Sequence, residues 1–314
     1  MNIAQLASRV QDNVKRVIVG QGNTTELLMT ALIAGGHVLL EDVPGTGKTV
    51  LAKSLARSLD CAFSRIQFTP DLLPNDITGA SVYSMQTGEF TFRRGPVFTH
   101  ILLADEINRA TPRTQAALLE CMEERQVTEG GVTHALERPF LVLATQNPVE
   151  IQGTFPLPEA QLDRFLMRLT PGYPSSEEAM RILDRFITEE PLETLAPVAT
   201  REEILAAQDG FRQTMVSDAI RAYIVALCEK TRQGETVRLG VSPRGMLALL
   251  RASQALACVR GRDYVTPDDA QALAVPVLSH RIIVRGLFAG GDAARAVVNE
   301  ALTSVPVPTE QADA

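Results

Sequence analysis

A chain of 314 residues with 30 Lys+Arg against 37 Asp+Glu carries a net charge of −7. That balance argues against coating nucleic acid or an anionic membrane as its main task. With 45% hydrophobic and 21% charged residues the composition is globular, not disordered, and the length suits about two domains.

In chain order, helical periodicity covers roughly residues 3–18 and 24–34, followed by an apolar strand at 37–40. A helix at 48–59 and a strand at 62–68 come next, then a period-2 stretch at 81–95 that turns near Thr87-Gly88. A strand at 101–104, a helix at 113–124 and a second hairpin at 126–136, turning at Gly130-Gly131, continue the series. Strands at 140–144 and 165–169 complete five candidates. Near-continuous apolar strands alternating with amphipathic helices predict an α/β unit with a parallel five-stranded sheet flanked by helices. Neither hairpin is needed to complete that sheet, so both read as insertions displayed from it.

Pro171, Gly172 and Pro174 break the pattern, and Ser175 with Glu178 forms a capping box that opens a helix. Beyond it only helices are expected to about residue 303, two of them started by Ser242-Pro243 and Thr266-Pro267. The expected organisation is a core over 1–172, an all-helical unit over 173–304, and a polar, disordered tail over 305–314. No apolar run reaches the ~18 residues of a membrane span. Gln5, Arg9 and Asp12 interrupt the stretch that a signal peptide keeps apolar. Cys61, Cys121, Cys228 and Cys258 lie far apart without a CxxC pair or a nearby histidine, and read as small hydrophobes in a reducing compartment. The expected location is the cytoplasm, with no membrane insertion.

The chemistry concentrates in Pro44-Gly45-Thr46-Gly47-Lys48-Thr49, with Val50 behind it, between a strand and a helix. In that context glycines let backbone N–H groups wrap a phosphate at a helix N-terminus whose dipole favours anions. Lys48 reaches the β- and γ-phosphates, and the Thr49 hydroxyl serves Mg²⁺. One departure from the usual P-loop spacing is Asp42, where a glycine is common. The second signal is Ile101-Leu102-Leu103-Ala104-Asp105-Glu106, an apolar strand ending in two carboxylates. Asp105 suits the Mg²⁺ outer partner, and Glu106 suits the group that orients and deprotonates water. Alone, the pair also reads as an acidic cap after a buried strand; with a P-loop upstream the catalytic reading prevails.

These segments resemble AAA+ ATPases, most closely the MoxR family, from about residue 15 to residue 300. The resemblance is carried by Gly36-His37-Val38-Leu39-Leu40-Glu41, Gly95-Pro96-Val97-Phe98, Glu106-Ile107-Asn108-Arg109-Ala110 and Leu157-Pro158-Glu159-Ala160-Gln161-Leu162-Asp163-Arg164-Phe165. It implies that Gly20 and Gln21 form the adenine-side loop, and that the hairpins are the helix-2 insert and the pre-sensor-1 hairpin of that clade. Asn147 then corresponds to sensor 1, Arg164 to an arginine finger acting on a neighbouring subunit, and Arg244 to sensor 2 on the helical lid. Taken as residues alone, Asn147 equally fits a turn before Pro148, and Arg164 equally fits a surface salt bridge with Asp163. Spacing does not decide whether Arg109 and Arg113 join an intersubunit site.

What the resemblance implies is Mg²⁺-dependent ATP hydrolysis in a ring, most simply a hexamer. ATP would sit between core and lid, and Arg244 would move the lid as hydrolysis proceeds. The implied role is chaperone-like maturation or remodelling of protein complexes, in some cases with a von Willebrand factor A-domain partner. Rival readings are a DNA motor, a magnesium-chelatase-type ATPase subunit and a nucleotide-gated scaffold without turnover. The stretch from Gln126 to Glu137 holds no Lys or Arg, which is poor for a phosphate backbone, whereas Arg93-Arg94 keeps a nucleic-acid reading open at the first insert.

Overall fold

Every second residue of the central strands faces the same layer, and the burial pattern follows that period. Val38 and Leu40 join one core cluster, while Leu39 joins the other. A computed structural model of the chain describes residues 2–41, 45–86, 88–147, 153–187, 190–234, 236–285 and 291–308. The core opens with α1 (Ile3–Lys15), α2 (Gly22–Ala34), β1 (Val38–Glu41), α3 (Lys48–Ser58), β2 (Phe63–Gln67) and α4 (Pro74–Thr78). A hairpin of β3 (Gly79–Ser84) and β4 (Glu89–Arg94) precedes β5 (Ile101–Asp105) and α5 (Pro112–Glu124). A second hairpin, β6 (Gln126–Glu129) and β7 (Val132–Ala135), leads to β8 (Leu141–Gln146), α6 (Glu159–Leu162) and β9 (Met167–Leu169).

The five long-range strands form one parallel sheet in the order β2-β5-β8-β1-β9. This is the expected α/β sheet, with α1, α2 and α3 on one face and α5 on the other. Each hairpin is a separate two-stranded sheet, outside the main one. Thr87, in the expected turn of the first, lies outside the described residues. The strand order puts the C-terminal ends of β1, β5 and β8 side by side. In an open parallel sheet that edge is where ligands bind.

The second half contains α7 (Ser176–Phe186), α8 (Arg201–Gly210), α9 (Asp218–Lys230), β10 (Val237–Leu239), α10 (Pro243–Val259), α11 (Pro267–Leu278), β11 (Ile283–Val284) and α12 (Gly291–Ser304). The expectation of helices alone is corrected by the antiparallel pair β10 and β11, which at three and two residues are too short to carry a legible period. Three expected helix starts appear as capping contacts: Ser175 and Thr266 form capping boxes, and the Ser242 hydroxyl accepts from Gly245 N. Helices α8 to α12 share a hydrophobic cluster with α1 and α2, so apolar burial runs through both halves. In the tail, Val305 packs against this cluster, and residues 309–314 lie outside the described ones. Cys121 and Cys228 are buried and Cys61 and Cys258 partly so, with burial raising all four thiol pKa values. Among the described residues no helix is long and apolar enough to cross a membrane.

Candidate nucleotide site

The phosphate-binding turn begins where β1 ends. Gly45 and Gly47 adopt φ of +86° and +82°, a region costly for L side chains, and a Cβ on either would meet nothing within 4 Å. Gly47 caps α3 without a side-chain hydrogen bond. The first-turn backbone N–H groups, with Lys48 and Thr49 at the start of an 11-residue helix, have the geometry that suits an anion. Pro44, the first residue of the expected motif, lies outside the described residues together with Asp42.

A cavity of about 250 Å³ continues from this cradle and is shared by Gly45, Thr46, Gly47 and Val50 with residues 17–21. Val17, Val19, Ile182 and Phe186 give it apolar walls suited to a nucleobase. Gly20 and Gln21 therefore stand beside the P-loop, and the Gln21 amide donates to the Thr46 carbonyl at 3.3 Å. The Gln21 Oε1 atom is buried with no hydrogen-bond partner. An acceptor left over at the edge of an apolar slot fits a ligand that brings a donor.

Across the crevice, β5 delivers Asp105 and the next residue is Glu106. The Asp105 carboxylate accepts from the Thr145 hydroxyl at 2.6 Å and from Arg65 at 2.7 and 3.1 Å. Glu106 takes a left-handed conformation, φ +57°, and its backbone N–H donates to the Thr145 hydroxyl at 2.8 Å. Its carboxylate accepts from the Gln67 amide at 2.8 Å and lies 3.2 Å from the Arg109 guanidinium. Asn147 follows β8 directly, one residue beyond the Glu41–Gln146 pairing of β1 and β8. Sequence reasoning missed Arg65, Gln67 and Thr145. The first two carried a signal, being alternate long polar residues on one face of a strand; Thr145 carried none.

Thr49, in the first turn of α3, and Asp105, at the C-terminal end of β5, offer a hydroxyl and a carboxylate as oxygen donors for a divalent cation. Among the described residues no group of three or more His, Cys, Asp or Glu is arranged to hold one alone. A hydroxyl and a carboxylate are the sparse set typical of Mg²⁺, which keeps waters and binds through substrate phosphates. The residues fit such an ion.

Arg164 and Arg244 come together, but away from the P-loop. Glu123 on α5 bridges them, with its two oxygens 3.1 Å from Arg164 and 3.2 Å from Arg244. Arg164 also donates to the Leu119 carbonyl at 2.8 Å. The alternative salt bridge from Arg164 to Asp163 does not form; Asp163 pairs with Arg281 at 2.6 Å and lies 3.8 Å from Arg244. Two carboxylates thus accompany Arg244 at a helix start where a cation opposes the dipole. Both arginines line a second cavity that shares no lining residue with the nucleobase cavity. Arg244 pairs with Glu123 and Asp163, and the cavity it lines includes none of the described P-loop residues. His37, in that second cavity, is buried and stays neutral. Burial and the nearby Arg125 lower its pKa to about 3. Its Nδ1 accepts from Val142 N at 3.0 Å, so the proton sits on Nε2, which donates to the Met122 carbonyl at 3.1 Å.

Comparison with known proteins agrees with this geometry. Residues 37–167 match the family described as "ATPase family associated with various cellular activities (AAA)", and residues 229–301 match the AAA lid domain. The Bacillus subtilis protein YeaC is 50% identical, over 98% of this chain and 96% of its own length. Chaperone MoxR1 of Mycobacterium tuberculosis is 43% identical over 94% of this chain and 80% of its own. Protein MoxR of Paracoccus denitrificans is 33% identical over 98% of both chains. A crystal structure from Cytophaga hutchinsonii, assigned as an ATPase, has a TM-score of 0.89 and 37% identity, covering 98% of this chain and 96% of that one.

Proposed function

From the premise that this chain belongs to the MoxR family of AAA+ ATPases and hydrolyses ATP, we propose that it works as a head-to-tail ring that remodels client proteins. The observation that carries this reading is the separation of two cavities. One holds the P-loop and the nucleobase slot, and the other holds Arg164 and Arg244 side by side. Arginines that cannot reach their own nucleotide are suited to a neighbour's. A contact in which one face meets a different face is heterologous, and such contacts close into rings. A hexamer is the simplest form.

The division of labour follows from the residues. Backbone N–H groups of residues 45–49 and the Lys48 ammonium bind the phosphates. Thr49 and Asp105 would hold Mg²⁺, which would neutralise charge on the phosphates. Asn147 orients the attacking water, whose proton passes to the Glu106 carboxylate as the bond between the γ-phosphorus and the β-phosphate oxygen breaks. Arg164 of the next subunit, with Arg244 beside it, stabilises charge on the transferring group, an effect worth roughly 10³–10⁵ in rate in related systems. Arg244 acts in this reading with the finger rather than over its own nucleotide.

The motor unit spans 1–172 and the lid 173–304. The client surface is the pair of hairpins, joined by the Phe92–His134 stack at 4.1 Å. Exposed Tyr83, Met85 and Phe90 on β3–β4 offer apolar surface to a protein client, of the class that the name Chaperone MoxR1 suggests. A partner with a von Willebrand factor A domain fits the same role.

The decisive experiment pairs Glu106→Gln with Arg164→Ala. Glu106→Gln should keep ATP affinity and lose at least ~10²-fold in turnover. Arg164→Ala should lose turnover alone and regain it when mixed with Lys48→Ala subunits, which lack a working P-loop but carry an intact finger. Full turnover in Arg164→Ala protein would refute the trans assignment. Capture from extract on the ATP-trapped Glu106→Gln form, with and without nuclease, then tests for a protein client against a nucleic acid.

A further inference from the structure

We infer that Arg281, in the lid, is a positioning residue that sets the geometry of the Arg164–Arg244 pair. This rests on the trans-acting reading of that pair. Arg281 belongs to a 3₁₀ turn, Ser279–Arg281, at the end of α11, and its side chain is only 3% exposed. Its guanidinium grips the chain on both sides of Arg164. On the near side it donates to the Asp163 carboxylate at 2.6 Å and to the Asp163 carbonyl at 3.3 Å. On the far side it donates to the Phe165 carbonyl at 2.7 Å and the Leu166 carbonyl at 3.3 Å. A further N–H goes to the Val277 carbonyl of its own helix. The neighbouring His280 Nε2 lies 3.1 Å from the Phe165 carbonyl, which holds the same segment a second time.

Arg281 also touches the other arm. A Cβ on Gly245, the residue after Arg244, would stand 2.8 Å from Arg281 Cδ, so the first turn of α10 rests directly on the arginine stem. The second oxygen of Asp163 lies 3.8 Å from Arg244. One buried fork therefore fixes the backbone beside Arg164 and the helix start that carries Arg244.

The physical case for a positioning role is the cost of the alternative. Burying an arginine with a single carboxylate is expensive, and an apolar residue of similar volume fills such a site at least as well for stability. What an apolar residue cannot do is hold carbonyls on both flanks of one side chain in fixed directions, which a planar five-donor fork does. A finger must meet a transferring phosphate within about 1 Å, and misplacement on that scale costs on the order of 10²-fold in rate.

The test compares Arg281→Gln, Asp163→Asn and Arg164→Ala in Mg²⁺-ATP turnover, ATP affinity, ring assembly and thermal melting. Arg281→Gln should lose about 10- to 100-fold in kcat, with ATP affinity within about twofold of the parent. Mixing it with Lys48→Ala subunits should restore turnover, because the partner supplies a correctly held finger to the intact P-loop of the Arg281→Gln subunit. A lesion in the subunit's own nucleotide site would not be rescued this way. If Arg281→Gln fails to fold, Asp163→Asn decides, since it preserves shape at a partly exposed side chain and removes the main anchor. Turnover near the parent's in the folded variant, or no rescue where Arg164→Ala is rescued, overturns the positioning role. Undiminished turnover in Arg164→Ala overturns the reading beneath it instead.

Discussion

Thr145→Val is the sharpest probe of the acidic strand end. The Thr145 hydroxyl touches both carboxylate residues: it donates to Asp105 at 2.6 Å and accepts from the Glu106 N–H at 2.8 Å. Valine keeps the shape and removes both contacts, in a residue 2% exposed. A hydrogen bond to a charged group contributes about 1.5–3 kcal/mol, and an orphaned buried N–H costs about 1–3 kcal/mol. Allowing for relaxation at a crevice open to water, the net loss should be about 2–3 kcal/mol. At about 2.1 cal/mol/K per residue, unfolding of the whole chain has an entropy near 0.66 kcal/mol/K, so the melting temperature should fall by about 3–5 °C. Turnover should fall further than stability suggests, by about tenfold or more, because Glu106 loses the tether that fixes its backbone. Thr145→Ser retains the hydroxyl and should recover most of both. Calorimetry and steady-state ATPase assays of the two variants side by side measure this. A Thr145→Val protein that melts and turns over like the parent would show that Arg65, Gln67 and Arg109 hold the carboxylates without it.

Two further outcomes follow from a buried histidine and a close backbone contact. His37 stays neutral in the folded chain down to about pH 3 but takes up a proton near 6.5 when unfolded, so the unfolded state binds more protons between those values. Stability should therefore fall as pH drops below 6.5, by about 1.4 kcal/mol from this residue at pH 5.5. Urea melts at pH 7.5 and 5.5 should show a smaller loss in His37→Gln than in the parent, and equal losses would contradict the assignment. Gly95→Ala should loosen the first hairpin at its base, because a Cβ there would lie 2.3 Å from the Ile77 carbonyl oxygen and 2.4 Å from Gly79 N. The cost should be about 1–3 kcal/mol, read as faster proteolysis within β3–β4 with ATP affinity retained. Unchanged protection of that hairpin would rule the clash out.

Legibility tracked how local each signal was. The parallel sheet was readable because each strand is a short apolar run, and the P-loop because its glycines are contiguous with the strand before and the helix after. Groups whose role lies in a distant partner were silent. Thr145 meets Asp105 across 40 positions, Gln67 meets Glu106 across 39, and Arg281 meets Asp163 across 118. Arg244 is instructive in a different way. Its place in a lid helix was plain from Ser242-Pro243, but which nucleotide it can reach depends on how α10 packs. That packing sets it beside Glu123 and Asp163, with Arg164, instead of over the P-loop. The two strands of the small lid sheet were invisible for want of length.

The Asp105-Glu106 pair shows why a motif read in one dimension needs a strained backbone in three. Successive side chains of a strand point to opposite faces, so two adjacent carboxylates on an unbroken β5 could not both enter one crevice. The chain resolves this by ending the strand at Asp105 and turning Glu106 to φ +57°, ψ +50°. For a residue with a Cβ that turn costs roughly 1–2 kcal/mol. The surroundings hold it there from three directions: Thr145 accepts the Glu106 N–H, and Gln67 and Arg109 engage the carboxylate. Strain that is over-determined in this way, at the residue we propose takes a proton from water, is the pattern expected where geometry serves chemistry rather than stability. It follows that relieving the strain by Glu106→Gly should gain back part of that conformational cost in a melt while abolishing turnover, whereas Glu106→Gln should keep both the turn and ATP affinity and lose only the proton acceptor.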